Sequence, residues 1–344
     1  MCFFGLLLAL QTAWSQYPPA FYPGPSPGGY KTNALIAANT SPGVTQFNGQ
    51  ILSVWCGTNG VVQSMLQAAV TDESNMIYTS TIPCTGNGGT GRISVAAFNG
   101  KAYAIGQPLN NGSWRNFTMI SSTDGINWTY SAANVTCGVG QDTSLAWGFG
   151  LNTFTPPNGP QELILAYSTT CGGGVGGFSV ASSTDGVNFT WKAMVSSNLI
   201  YEETSPWFQS PAVFYWSPLE GAPGNGALYV SYFTTGGYAV VAQSADGVNW
   251  SSQDVTYGPH LNRDVMLFSH NLALWYGGQS YYSSDNLWLI GSYDGVNWGS
   301  GSQPVSYEYG GIMSTSPSAI DFNGDFYSVW RSCCGNNMWG NYSY

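Results

Sequence analysis

The sequence predicts an all-β chain, a six-bladed β-propeller of four-stranded antiparallel blades closed by pairing of its N- and C-terminal segments. Three observations carry this reading. Short apolar and aromatic runs alternate with Gly-rich turns along the whole chain. One hairpin recurs as Ser122-Thr-Asp124-Gly-Ile-Asn-Trp128, Ser183-Thr-Asp185-Gly-Val-Asn-Phe189, Ser244-Ala-Asp246-Gly-Val-Asn-Trp250 and Ser292-Tyr-Asp294-Gly-Val-Asn-Trp298. A second motif precedes the hairpins, giving six starts with the spacing of four-stranded propeller units.

Taken in order, the chain opens on Met1-CFFGLLLALQTAWS-Gln16. This reads as a secretory signal peptide over 1–15, with small residues at Ala13 and Ser15 and a predicted cut before Gln16. Its apolar run is too short to span a bilayer, and no later one is long enough. Residues 16–33 are a Pro/Gly/Tyr-rich leader, and 34–344 form a single propeller domain.

The first unit starts at Thr40-Ser-Pro42 and runs through Phe47-Asn-Gly to Trp55, and the last repeats it from Thr315-Ser-Pro317 through Phe322-Asn-Gly to Trp330. Weaker starts fall at Arg92, Ser144, Ser210 and Arg263. Each unit reads as strand A, turn, strand B, loop, strand C, Asp-Gly hairpin, strand D. Asp72-Glu-Ser-Asn75-Met76 is a faded hairpin of the first unit. The last unit has no hairpin, and Ala34-Leu-Ile-Ala-Ala38 is the expected source of its missing strand, which would remove two exposed edges.

Composition narrows the partners. Charged residues are 7% of the chain and the formal net charge is -10, which leaves no cation cluster to neutralise phosphates, so nucleic acid is excluded. Export is expected from the leader and from Asn-x-Ser/Thr acceptors at Asn39, Asn111, Asn116, Asn127, Asn134, Asn188, Asn249 and Asn341. Without Cys2 the cysteines are Cys56, Cys84, Cys137, Cys171, Cys333 and Cys334, an even set that fits disulfides. All fall in loops of one face. Cys56–Cys84 and Cys137–Cys171 are expected loop staples, with Cys333–Cys334 left as a vicinal pair or as links to other chains. No cofactor or metal is expected, because there are two histidines and no Cys-x-x-Cys, and Gly172-Gly-Gly-Val-Gly-Gly177 lacks the Lys of a phosphate loop.

The repeated hairpins resemble the Asp-box repeat of the sialidase-like propeller superfamily, one residue shorter between Asp and aromatic than its commonest form. The resemblance covers most of the mature chain and implies architecture. It does not select an activity, since such repeats occur in hydrolases, lectins and structural extracellular proteins. It also implies that Asp124, Asp185, Asp246 and Asp294 lie away from the active face. Their short side chains fold back onto the N–H groups of their own turns, which agrees with a structural role.

Candidate chemistry lies on the opposite face, shared by the D-to-A and B-to-C loops. Arg92 and Arg263 stand where other units carry Ser, Arg331 follows the last strand B, and Arg115 lies near a strand C; these are the chain's four arginines. Sialidases hold a substrate carboxylate with three arginines, so the resemblance implies Arg92, Arg263 and Arg331 as a clamp, a task suited to planar guanidinium forks. Arg92-Ile93-Ser94 resembles their Arg-Ile-Pro element, with Ser for Pro and in the second unit instead of the first. The remaining apparatus would be an acid/base carboxyl and a Tyr nucleophile. Asp142, Glu202, Glu203, Asp264, Tyr307 and Glu308 are the candidates, and no spacing selects among them. Equally, each Arg can be read as pairing with a carboxylate to anchor a loop.

Trp55, Trp114, Trp207, Phe208, Trp330 and Trp339 fall near the same loops, where flat rings would suit sugar faces or pack between blades. The leading expectation is therefore a secreted glycoprotein that recognises glycans or glycoproteins over the loop-rich face. The alternatives are a sialidase-like glycoside hydrolase and a self-assembling component of an extracellular coat or filament.

Overall fold

The computed structural model describes residues 38–343 apart from 73–75, 85–91, 107–108, 110–117, 137–145, 170–176, 197–210, 218–225, 234–238, 255–260, 271–272, 281–286, 299–302, 305–316 and 332–337. These residues form antiparallel sheets in a propeller arrangement. From the axis outward, the first blade comprises Gly43–Phe47 (β1), Gln50–Cys56 (β2), Val61–Gln67 (β3) and Ile77–Pro83 (β4). The second comprises Ser94–Phe98 (β5), Lys101–Ile105 (β6), Thr118–Ser122 (β7) and Thr129–Ala132 (β8). Asn134–Thr136 (β9) leaves the second blade and joins the third, which is built from Ala146–Phe154 (β10), Glu162–Thr169 (β11), Gly177–Ser183 (β12) and Asn188–Ser196 (β13). β9 runs parallel to β13, with Asn134 opposite Asn188.

Ala212–Trp216 (β14), Ala227–Phe233 (β15), Ala239–Ser244 (β16) and Ser251–Asp254 (β17) form the fourth blade. Leu261–His270 (β18), Ala273–Ser280 (β19), Leu287–Ser292 (β20) and Gln303–Pro304 (β21) form the fifth. The sixth sheet holds Ser318–Phe322 (β22), Asp325–Arg331 (β23) and Met338–Ser343 (β24).

This corrects the expected count. Five sheets carry a full set of four antiparallel strands, and the sixth has three among the described residues. The fourth strand of a complete sheet follows its C-to-D turn, and the described residues of the sixth sheet run only to its third strand, Met338–Ser343. The expected pairing of the two chain ends falls on residues outside the described ones. Of the 34–38 segment only Ala38 is described; it bridges to Gly57 beyond β2 and packs in the cluster shared with the sixth sheet.

The core is divided among the seams between sheets. Side chains alternate along each strand, so each sheet serves both neighbours. Val95 of β5 packs toward the first blade, while Ala96 and Phe98 pack toward the third. Six apolar clusters result, one for each neighbouring pair. The last joins Ile51, Trp55 and Met65 of the first blade to Phe322, Tyr327 and Met338 of the sixth sheet. Packing closes the ring. Strand B is buried from both sides, as in β2, where six successive residues are buried, whereas outermost β4 is largely open to solvent.

Candidate functional site

The two ends of the ring are built differently. At one end lie the A-to-B turns and the Asp-Gly hairpins. Asn48-Gly49, Asn99-Gly100 and Asn323-Gly324 all adopt positive φ, the two-residue turn that matches strand twist. In the hairpin of the second blade, Asp124 Oδ1 accepts the N–H groups of Ile126 and Asn127 at 2.8 and 2.7 Å and the Ser122 hydroxyl at 2.8 Å. Asn127 Nδ2 donates to Asp124 Oδ2 at 2.7 Å, and Gly125 N–H donates to Ser122 Oγ at 2.9 Å. Asp185, Asp246 and Asp294 sit in the same network.

The N–H of Asn127, Asn188 or Asn249 is the main influence holding the Asp124, Asp185 and Asp246 carboxyls well below the usual range. At Asp294 burial opposes this, yet the bonds from Asn297 and Val296 still leave its pKa lowered. These carboxylates are acceptors for their own turns.

Each turn also docks on the preceding blade. Ser64 of β3 donates to the Gly125 carbonyl at 2.7 Å and receives the Trp128 indole N–H at 3.3 Å. A Cβ at Gly186 would overlap the Tyr103 hydroxyl, and one at Gly295 that of Tyr229. Burial, with a contribution from Asp294, pushes the Tyr229 hydroxyl up to about 12.

The other end holds the strand starts and longer loops. A cavity of about 290 Å³ follows the axis and is lined by all six inner strands, with Thr45, Asn152, Ser269 and Asp321 among its polar groups. Arg92, buried at the start of the second blade, reaches across the ring. It donates to the Val265 carbonyl at 2.8 Å and the Pro211 carbonyl at 3.0 Å, in the fifth and fourth blades. Glycines bring the inner strands together here, since a Cβ at Gly43 would overlap the Ile93 carbonyl and one at Gly150 that of Pro211. Arg331 ends β23 at the same end, and burial lowers its pKa, though a guanidinium stays charged in a protein.

Cys56 and Cys84 form a disulfide with a Cα–Cα distance of 5.8 Å, joining the end of β2 to the segment beyond β4. Trp55 and Trp330 are buried, Trp55 donating to Gln63 Oε1 at 3.0 Å, so these two rings belong to the seams. Arg263 and Asp264 lie in β18, where the ladder to β19 shifts register between Leu261 and Val265. Their side chains, with that of Trp339, lie outside the described residues, as do Arg115, Trp114, Asp142, Glu202, Glu203, Trp207, Phe208, Tyr307 and Glu308. So do Cys137, Cys171, Cys333, Cys334, Asn111, Asn116 and the side chain of Asn341. Asn39 is half-buried, its Nδ2 donating to the Gly57 carbonyl at 3.2 Å.

Sequence reasoning missed one polar pair. His270 Nδ1 lies 2.8 Å from Asp321 Oδ2, bridging the inner strands of the fifth blade and sixth sheet, with Phe326 packed against the imidazole. The two are 51 residues apart and share no motif. Among the described residues no cluster of three or more His, Cys, Asp or Glu side chains gathers, and no helix is long and apolar enough to cross a membrane.

No protein-family model matches the chain, and no curated protein matches it in sequence. Solved structures do match in fold. A Dyadobacter fermentans protein of unknown function superposes with a TM-score of 0.61 at 13% identity, over 94% of this chain and 99% of its own. Trypanosoma rangeli sialidase gives 0.56 at 12% identity; the match covers 94% of this chain but 57% of that enzyme. The Aleuria aurantia lectin, solved as a point mutant in complex with Fucα1-6GlcNAc, gives 0.54 at 11% identity, over 89% of this chain and 96% of its own. The likeness is one of fold: a β-propeller of the kind found in sialidases and lectins.

Proposed function

We propose that the chain is an extracellular glycan-recognition propeller, exported through residues 1–15, N-glycosylated, and binding carbohydrate over the end that carries the longer loops. The observation that carries this over hydrolysis is the geometry of Arg92. Two of its guanidinium nitrogens are held by the Val265 and Pro211 carbonyls, so it braces the ring where the hydrolase reading needs a free fork for a substrate carboxylate. The lectin in the comparison, matched over nearly its full length, supports recognition without turnover. The hydrolase reading retains Arg263 and Arg331 at the same end, and the likeness to a sialidase speaks for it.

One preparation separates the two. Purified secreted protein is applied to an array of neutral, fucosylated and sialylated glycans, and assayed in parallel against a fluorogenic sialoside. Saturable binding without turnover is expected. Turnover abolished by Arg263→Ala would replace the proposal with the hydrolase, and absence of binding across the array would remove it. Concentration-dependent assembly in that same absence would point to the coat or filament reading.

A further inference from the structure

Three Asp-Gly hairpins place an Asn-x-Ser/Thr acceptor at the same point of the turn: Asn127-Trp-Thr129, Asn188-Phe-Thr190 and Asn249-Trp-Ser251. All three asparagines are exposed, as are Thr129, Thr190 and Ser251, while the residue between them is drawn into the blade. They occupy equivalent positions on the second, third and fourth blades, at the turn end of the ring. The fifth blade breaks the pattern, because Asn297 is followed by Trp298 and Gly299. In the first blade and sixth sheet the turns carry Asn48-Gly49-Gln50 and Asn323-Gly324-Asp325, which are not acceptors.

A fourth acceptor intrudes at one of these points. The parallel pairing of β9 with β13 sets Asn134 directly opposite Asn188. Asn134 Nδ2 donates to Asn188 Oδ1 at 3.0 Å, while Asn188 Nδ2 donates to Asp185 Oδ2 at 2.7 Å. Two acceptors 54 residues apart in sequence are thereby in contact.

We propose that the turn end over the second to fourth blades is a glycan-bearing surface with three attachment points: Asn127, Asn249, and a single point shared by Asn134 and Asn188. The proposal rests on the export reading above, since the donor, a lipid-diphosphate-linked oligosaccharide, belongs to that pathway. In the transfer, Asn Nδ2 forms a bond to the sugar C1, the C1–O bond to the diphosphate breaks, the lipid diphosphate departs and Nδ2 loses one proton. One N–H remains on each modified Asn, enough for the single bond that Asn127 and Asn249 donate to their Asp. At the shared point two branched sugars would have to leave from touching side chains, and the β9–β13 pairing has room for one. The turns of the second to fourth blades are thus coated, and the loop-bearing end stays clear of these three glycans.

The test uses the full chain expressed in secreting eukaryotic cells. Glycans are removed by an amidase in heavy-oxygen water, which marks each formerly modified Asn as labelled Asp, and peptides are read by mass spectrometry. Expected are high labelling at Asn127 and Asn249, and fractional occupancies of Asn134 and Asn188 that sum to no more than one. Thr190→Ala, which leaves both asparagines in place, should raise Asn134 occupancy; Thr129→Ala should remove one glycan from the intact mass. Secreted protein labelled at Asn39 or Asn111 but not at Asn127 and Asn249, or nearly full at both Asn134 and Asn188, would overturn the proposal while leaving export intact. Protein retained in the cell with no label anywhere would overturn both.

Discussion

Four seams of the ring are fastened by an Asp-Gly hairpin, and the two that flank the sixth sheet show none among the described residues. The second to fifth blades each insert an Asp-Gly turn against the blade before them, with Gly125, Gly186, Gly247 and Gly295 all at positive φ on a neighbour's side chains. Between the fifth blade and the sixth sheet, His270 and Asp321 make the polar link and the Phe268 ring packs tilted against Phe326, their centroids 4.7 Å apart. Between the sixth sheet and the first blade the cluster around Trp55, Met65, Ile320 and Tyr327 provides the contact. The difference teaches that a unit with an Asp-Gly hairpin brings its own fastener, while a seam without one relies on side chains that no repeat specifies.

Trp128→Ala should have the largest effect on this contrast. It empties a buried site in the first seam and removes the indole bond to Ser64, at a cost of about 3–5 kcal/mol; equilibrium denaturation of the variant measures it. Cys56→Ser with Cys84→Ser opens a loop of sequence separation 28, a loss of about 3–4 kcal/mol by chain entropy. Thermal unfolding with and without reductant should reproduce that loss in the parent and not in the variant.

Gly186→Ala and Gly324→Ala sharpen the comparison at matched backbone strain. Both residues have positive φ, but the new methyl meets Tyr103 at the first and open space at the second. Gly186→Ala should therefore be worse by about 1–3 kcal/mol. Asp321→Ala removes the 2.8 Å partner of His270 and the 2.9 Å acceptor of Gly324 N–H, at about 1–3 kcal/mol. Hydrogen exchange should loosen in the fifth blade and sixth sheet and stay unchanged in the first seam; loosening of the first seam would refute the local division.

The smallest effect is in acid. The carboxyls of Asp124, Asp185, Asp246 and Asp294 are lowered in the folded chain, so their contribution is present above the unfolded value of about 3.9 and is lost as pH falls below it. Protection from exchange, taken relative to the intrinsic rate at each pH, should fall at the four hairpin-docked seams on acidification from about pH 4, and Asp124→Asn should flatten that dependence in the first seam only.

Much of the ring was legible in the sequence because its turns are local. Asn-Gly between apolar runs and Ser-x-Asp-Gly before an aromatic each encode a backbone shape within a few residues, and the strands follow from them. Cys56 and Cys84 could be paired because the blade scheme brings the ends of strands B and D to one face. What failed to show were contacts made around the ring. Arg92 finds its carbonyls in blades more than a hundred residues away, and nothing near it in sequence announces them. The three residues of β9 were too few to register as a strand. Trp55 and Trp330 stand near strand ends, where burial depends on the neighbouring sheet, and of the two roles open to them in the sequence they take packing between sheets.

That short parallel ribbon has an effect on how these molecules can meet. β4, β8 and β17 show no partner on their outer side among the described residues. The third blade is different, for β13 is already capped by the chain's own Asn134–Thr136. Edge-to-edge strand addition at the third blade would meet the three residues of β9 in place of the nine of β13, a much shorter run of backbone to pair with.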